Sequence, residues 1–196
     1  MNLVIGTYNF GKIKEIENLL QNLDINFFSL KDVNVNKKID ENGNSYKENA
    51  IKKALEICKL CNKTVLAEDS GLEVDFLNGE PGIYSARLAS DDEKRNNKIL
   101  EFLKKVPFEK RKARFVSVVA LAQPNKKVIT RTGICKGFIA TEIQGTHGFG
   151  FDPIFIIPKY NKSFGELGSE IKNKISHRAQ SLMKIKIVLE KILIGA

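Results

Sequence analysis

Residues 3–23 read LVIGTYNFGKIKEIENLLQNL, and this stretch decides the fold class. LVIG (3–6) is a short apolar run closed by a turn, the pattern of a buried strand. KIKEIENLLQNL reads as helical, which places a helix over 10–22. A strand, a tight turn and a helix N-terminus aim backbone N–H groups and the positive end of the helix dipole into the turn. That context favours an anion site in the turn. Gly6, Gly11 and Lys12 have the spacing of a Walker phosphate loop, but Ile13 stands where that motif needs a magnesium-binding hydroxyl. Thr7, Asn9 and Lys12 need another explanation.

Working outward, apolar runs go on alternating with helical patterns. Strands are predicted over 25–30 and 64–68, with a helix over 45–61 whose buried positions are Ala50, Ala54 (or Ile51, Leu55) and Cys58. SGLEVDFLNG (70–79) alternates like a further strand and ends in an Asn78-Gly79 turn. A charged helix over 91–105 buries Ile99, Leu100 and Leu103. RFVSVVALAQ and KVITRTGICKGFIA then read as two β runs joined by PNKK. The segment 156–175 is irregular to helical, and a last helix from near Ser176 carries Leu182, Ile185, Leu189 and Ile192 on one face. The whole is an α/β protein with an antiparallel β portion in its middle.

The 196 residues, 42% of them hydrophobic, suffice for one domain spanning 1–196 with a sizeable core. No apolar run approaches the roughly 20 residues that a membrane span needs, and the N-terminus opens on a strand rather than on a secretory leader. Three cysteines, an odd number, argue against a disulfide framework and suit a reducing, cytoplasmic setting. The net charge of +9 favours anionic partners. Its lysines are scattered, which is the pattern of a solvated surface.

Several segments carry candidate chemistry. Glu68 and Asp69 fall where the predicted strand 64–68 ends, the edge at which open α/β sheets bind ligands. With ENGNSYKENA (41–50) they supply the carboxylate oxygens that a hard cation such as Mg²⁺ takes alongside substrate phosphates; the plain alternative is a pair of turn and capping residues. Lys53, on an otherwise apolar helix, is a phosphate ligand or a snorkelling surface lysine. Arg87 follows a Pro-Gly turn and suits bidentate phosphate contacts. GTHGFGFDP (145–153) is either a turn with core aromatics or a loop whose backbone approaches a flat ligand, one aromatic ring stacking while Asp152 or the backbone reads an edge. His177 and Arg178 open the last helix, where positive charge opposes the dipole by about 0.3–1 kcal/mol. A basic pair at that end suits a ligand that wants donors. Cys58 and Cys61 have CxxC spacing but close a helix, whereas a redox pair opens one.

Together these segments resemble the inosine triphosphate pyrophosphatases, which remove non-standard purine nucleoside triphosphates. The resemblance runs from Val4 to Leu182. It is carried by Thr7, Asn9, Lys12 and Glu15 as T-x-N-x-x-K-x-x-E, then Asp40-Glu41-Asn42-Gly43, and ENAIKKA at 48–54. DSGL at 69–72, Asn78-Gly79 through YSAR at 87, GFGFDPIF at 148–155 and SHR at 176–178 follow in the family's order. The resemblance implies an elongated, two-lobed α/β fold around a mixed sheet with a substrate cleft between lobes, and a homodimer. It makes the first turn a triphosphate loop with Thr7, Asn9 and Lys12 as donors. Glu41 and Asp69 become ligands of Mg²⁺, and Asp69 the general base. Lys53 and Arg87 contact phosphates, with Ser70 close by. Phe149, Gly150, Phe151 and Asp152, with Lys172, His177 and Arg178, form the base pocket, where donors meet the keto oxygen of a 6-keto purine. Glu68 stands where relatives commonly have Asp, and Phe151 where Trp or Tyr is common.

The implied reaction is hydrolysis of ITP, dITP or XTP between the α and β phosphates to a monophosphate and pyrophosphate, with a nucleotide as partner and neither membrane nor nucleic acid. A basic nucleic-acid-binding module is the rival from another class; it demands a steep salt dependence and no turnover. A pyrophosphatase for pyrimidine or other modified nucleotides is the rival within enzymes.

Overall fold

The computed structural model describes residues 1–37 and 39–195. β1 (Asn2–Ile5), α1 (Phe10–Leu20), β2 (Asn26–Phe28), α2 (Tyr46–Cys61) and β3 (Val65–Val74) form the alternating first half. α3 (Asp92–Phe102), β4 (Lys112–Ala122), β5 (Ile129–Ile139), β6 (Phe155–Ile157), β7 (Lys162–Ser163), α4 (Phe164–Ile175) and α5 (His177–Ile194) complete it. The seven strands make one sheet in the order β2-β1-β3-β4-β5-β6-β7. β1 runs parallel to β2 and β3, while β5, β6 and β7 pair antiparallel, so this is a mixed α/β sheet.

Local chemistry starts the helices where the sequence places them. Asn9 caps α1 by accepting from the Lys12 N–H, Ser45 caps α2 by accepting from Glu48, and Asp91 caps α3 by accepting from Lys94. Each satisfies one of the orphan N–H groups of a first turn, a contribution of about 1 kcal/mol. α4 opens with a capping box between Ser163 and Glu166 and kinks at Gly168. The kink and the short strands β6 and β7 account for the irregular reading of 156–175.

One expectation changes, and one open alternative is decided. The strand predicted to end near Asp69 does not end there: β3 continues to Val74 and absorbs SGLEV, so Asp69 lies mid-strand. What ends is its neighbour. β1 pairs with β3 only through Val65 and Leu66, which leaves Asp69 beyond the last residue of β1. In α2 the buried residues are Tyr46, Asn49, Ala50, Ala54, Ile57 and Cys58, so Ala50, Ala54 and Cys58 are buried as expected and the alternative Leu55 is exposed.

The domain contains two compact units. The first comprises Met1–Asp69, Ser117–Gly133 and Arg178–Ala196; the second comprises Ser70–Val116 and Ile134–His177. In the first unit Leu3, Ile5, Leu66, Val119 and Leu121 of the strands pack with Ile16 and Leu20 of α1 and with Leu182, Ile185 and Leu189 of α5. The predicted face of the last helix is thus the buried one, with Ile192 at its edge. The second unit packs Leu72, Ile99, Leu103, Phe115, Phe155 and Phe164, among others. Each such side chain, fully buried, contributes about 1.5–3 kcal/mol of hydrophobic free energy. No helix is long and apolar enough to cross a membrane among the described residues.

Candidate active site

In the first unit the turn after β1 is built for close approach. A Cβ on Gly6 would lie 3.0 Å from Cβ of Ala67 and 3.1 Å from Cδ1 of Ile57, so glycine lets this backbone lie against β3 and α2 without displacing them. The Asn9 N–H donates to Thr7 Oγ1 (3.1 Å) and the Lys12 N–H to Asn9 Oδ1 (3.0 Å). The two polar side chains of the turn therefore also hold its shape. Their oxygens organise the N-terminus of α1, where N–H groups favour an anion.

Lys12 reaches from α1 to Glu68, 3.6 Å away, and Glu68 leads into a buried network. Glu68 accepts from Arg178 Nε (2.9 Å) and from the Ser117 hydroxyl (2.7 Å), while Arg178 Nη1 donates to Glu15 (2.5 Å). Ser181 lies 2.9 Å from Ser117 and donates to the Arg178 carbonyl. Burial opposes the charge on Arg178, but Glu68 and Glu15 outweigh it and hold the guanidinium firmly protonated. This resolves the dipole problem at the start of α5: two charge-assisted hydrogen bonds, about 1.5–3 kcal/mol each, exceed the dipole cost. Arg178, expected with the base pocket, has its side chain in the Glu15–Glu68 network of the first unit. Burial lowers the Lys12 pKa, with Glu68 opposing and Arg178 and Lys53 adding to the shift.

Asp69 is buried one residue further along β3. Asn49, from α2, donates to its carboxylate (3.0 Å) and accepts from the Gly43 N–H (2.8 Å). One buried amide thus fixes Asp69 and the start of the Glu41 segment together. Lys53 forms an ion pair with Glu41. Burial raises the Asp69 pKa; Lys53 pulls it down, Glu41 pushes it up, and Lys12 and the Asn49 hydrogen bond lower it. A cavity of about 130 Å³ is lined by Gly6, Thr7, Tyr8, Lys37, Glu41 and Lys53, among others.

These groups can accept a hard cation. Lys12, Lys53 and Arg178 are set against Glu15, Glu41, Glu68 and Asp69, one positive charge short of balance with all four ionised. No group of three or more His, Cys, Asp or Glu side chains that would hold a metal occurs among the described residues. Glu41 and Asp69 as a pair match an ion that keeps most of its coordination for water and phosphate oxygens.

The second unit holds a different arrangement. Lys172 and Asp152 form a buried ion pair at 2.5 Å, and Lys172 Nζ sits 4.3 Å from the centroid of Phe149. Asp152 also accepts from the Phe149 N–H (2.8 Å). Gly148 makes room for this: with φ of +81°, its Cβ would fall 2.0 Å from Asp152 Oδ2. The Gly150 N–H donates to Asp92 (2.6 Å) and its carbonyl accepts from Asn96 (3.1 Å), so α3 grips the glycine loop. Phe151 is buried in the core, which leaves half-buried Phe149 as the accessible ring of the loop. His177 stacks on Phe115, ring centroids 4.6 Å apart. Arg87 is exposed, with its guanidinium 5.7 Å from the Tyr84 ring centroid, and Ser70 is half-buried.

The structure thus gathers Thr7, Asn9, Lys12, Glu41, Lys53, Asp69 and Arg178 in one unit. Ser70, Arg87, Phe149, Gly150, Phe151, Asp152, Lys172 and His177 fall in the other. Asn49, Ser117 and Ser181 were not among the predicted site residues, and Glu68, a candidate cation ligand in the sequence, accepts from Arg178 and Ser117. Asn49 offered one signal, a polar side chain on the alanine face of α2.

The chain is similar to known proteins over nearly its whole length. The Ham1 family model matches residues 3–188. A dITP/XTP pyrophosphatase of Desulforamulus reducens is 44% identical over 99% of this chain and 98% of that protein. One from Bacillus subtilis is 43% identical over 95% and 96%. Among solved structures, a HAM1 protein from Coxiella burnetii superposes with a TM-score of 0.89 at 36% identity, covering 97% of this chain and 99% of that one. The Staphylococcus aureus Ham1 protein gives 0.87 at 38% identity, with the same coverage. The chain belongs to the Ham1 family.

Proposed function

We propose that this protein is a nucleoside triphosphate pyrophosphatase acting on non-canonical purine nucleotides, dITP, XTP and ITP. The observation that carries the reading is buried Asp69, held by Asn49 and electrostatically coupled to Glu41, Lys53 and Lys12. Water attacks the α-phosphorus, the bond from the α-phosphorus to the α–β bridging oxygen breaks, and the water proton passes to Asp69. A carboxylate whose pKa is raised by burial is a stronger proton acceptor than a solvated one. Lys12 and Lys53, with Arg87, meet the negative charge that grows on the departing pyrophosphate, where fixed cations stabilise the transition state most. Thr7, Asn9 and the N–H groups of α1 orient the phosphates, with Ser70 beside Asp69. Glu41 and Asp69 hold Mg²⁺, which supplies further charge neutralisation when bound.

Phe149 stacks on the base. Lys172, held by Asp152, and His177 face its 6-keto edge, whose oxygen accepts where the amino group of adenine does not. Arg178 acts through Glu68 and Lys12. Leaving a buried donor unmatched costs about 1–3 kcal/mol, so several such contacts together reject ATP. A reducing cytoplasm and a homodimer complete the reading. The nucleic-acid alternative is weaker: Lys12, Lys53, Lys172 and Arg178 each have a carboxylate partner, whereas backbone tracking needs exposed cations.

The test measures pyrophosphate released from dITP, XTP, dATP and dCTP by wild type and Asp69→Asn, with Mg²⁺ and then with EDTA. Magnesium-dependent release from dITP and XTP, reduced about 10²–10⁴-fold in the variant, is expected. Orthophosphate as product refutes the scissile bond, and preference for dCTP favours the pyrimidine alternative.

A further inference from the structure

Glu41 is carried by the segment between β2 and α2, which has no regular secondary structure over 35–37 and 39–44. Its far end is fastened to α2. The Gly43 N–H donates to Asn49 Oδ1 (2.8 Å), the Asn44 N–H to Glu48 (2.8 Å), and Lys52 donates to the Asn42 side chain (2.8 Å). Its near end closes on itself through the Val35 N–H and the Leu30 carbonyl, 2.9 Å. Between these ties, Lys37, Ile39 and Glu41 line the 130 Å³ cavity. Lys53 of α2 pairs with Glu41, and from the phosphate turn Tyr8 reaches the start of the stretch. Tyr8 lies between Thr7 and Asn9 in the phosphate-binding turn, and its hydroxyl donates to the Val35 carbonyl.

The Tyr8 ring is half exposed, while its hydroxyl is bonded to the facing segment. The phenol supplies reach and one donor. We propose that Tyr8 is a positioning residue: its hydroxyl ties the 35–41 segment to the phosphate turn and so presents Lys37 and Glu41 to the cavity. A wall ordered in advance spares the ligand the entropy of ordering it. Losing the tie weakens binding of metal and triphosphate and leaves the chemical step, which runs on Asp69, nearly intact. Lys37 adds a cation to the phosphate side. This deepens the pyrophosphatase reading and rests on it.

Two measurements on the full chain separate this proposal from that reading. Hydrogen–deuterium exchange of peptides spanning 30–44, without metal or nucleotide, compares wild type with Tyr8→Phe and Tyr8→Ala. Loss of one hydrogen bond is expected to speed exchange there by about three- to tenfold in both variants, with α1 and β3 unchanged. Steady-state hydrolysis of dITP across a Mg²⁺ titration is expected to show KM and the half-saturating Mg²⁺ rising by a similar factor, and kcat within about twofold. Exchange in Tyr8→Phe equal to wild type, a defect confined to Tyr8→Ala, or a fall in kcat at constant KM overturns the proposal. If wild type hydrolyses no purine triphosphate, the pyrophosphatase reading fails, and the exchange contrast alone decides whether Tyr8 is a tether.

Discussion

Each unit buries a carboxylate–cation pair, but the two are built differently. In the first unit, Arg178 is shared between Glu15 and Glu68, and Glu68 is shared again with Ser117 and Lys12. In the second, Lys172 pairs with Asp152 beside the Phe149 ring, and Asp152 also accepts from the Phe149 N–H. A shared network spreads the desolvation penalty over many contacts and holds several residues in register, which suits groups that must meet phosphate charge. A pair beside a half-buried ring keeps one donor oriented at a flat surface, which suits reading a base. The comparison turns on what is left when one partner goes.

Arg178→Met is the most damaging change. It removes the guanidinium bonds to the buried Glu15 and Glu68 carboxylates. A loss of about 5 kcal/mol is expected in urea unfolding, at the upper end for broken buried pairs. Adding Glu68→Gln to it removes one abandoned charge, so the double variant is more stable than the single; strict additivity would break the network description. Lys172→Met leaves the buried Asp152 carboxylate without this cation. Its loss is about 3 kcal/mol near neutral pH. The same variant is expected to narrow the preference for dITP over dATP about tenfold, the size of one lost hydrogen bond. An unchanged preference would refute base reading by this pair.

The smallest effect concerns Asp69 without metal. Its folded pKa lies above the ordinary 3.8, chiefly through burial. The folded state therefore holds the proton more tightly than the unfolded chain. That stabilisation is full below pH 3.8 and is lost as pH rises through the folded value. Asn49→Ala removes a hydrogen bond that favours the carboxylate and shifts this window upward. Urea unfolding in EDTA across pH 4–8 reads the shift. A window unmoved or moved down would show that Asn49 does not hold the ionised form.

Much of the site was legible because its parts are local. Thr7, Asn9 and Lys12 fall within one strand–turn–helix unit, and Asn9 as the α1 cap follows from its residue type and place. The Phe149–Asp152 loop was legible from its glycines, because only glycine tolerates the close approach at Gly148. The division of labour between Phe149 and Phe151 was not. Two aromatics two residues apart look alike in sequence, and only packing against Phe155 and its neighbours decides which is core.

The sequence by itself determined the alternating strands and helices, the capped starts of α1, α2 and α3, and the buried face of α5. All of these arise from periods of two to four residues and from caps one turn long. Only the tertiary structure decided that β3 runs through Asp69, that Tyr8 reaches Val35, and that Arg178 meets Glu68 and Glu15. Those last partners lie 110 and 163 residues away. An ion pair across that distance leaves no periodic trace in a single chain. Its stability comes from shared burial, which exists only once the strands and helices have packed.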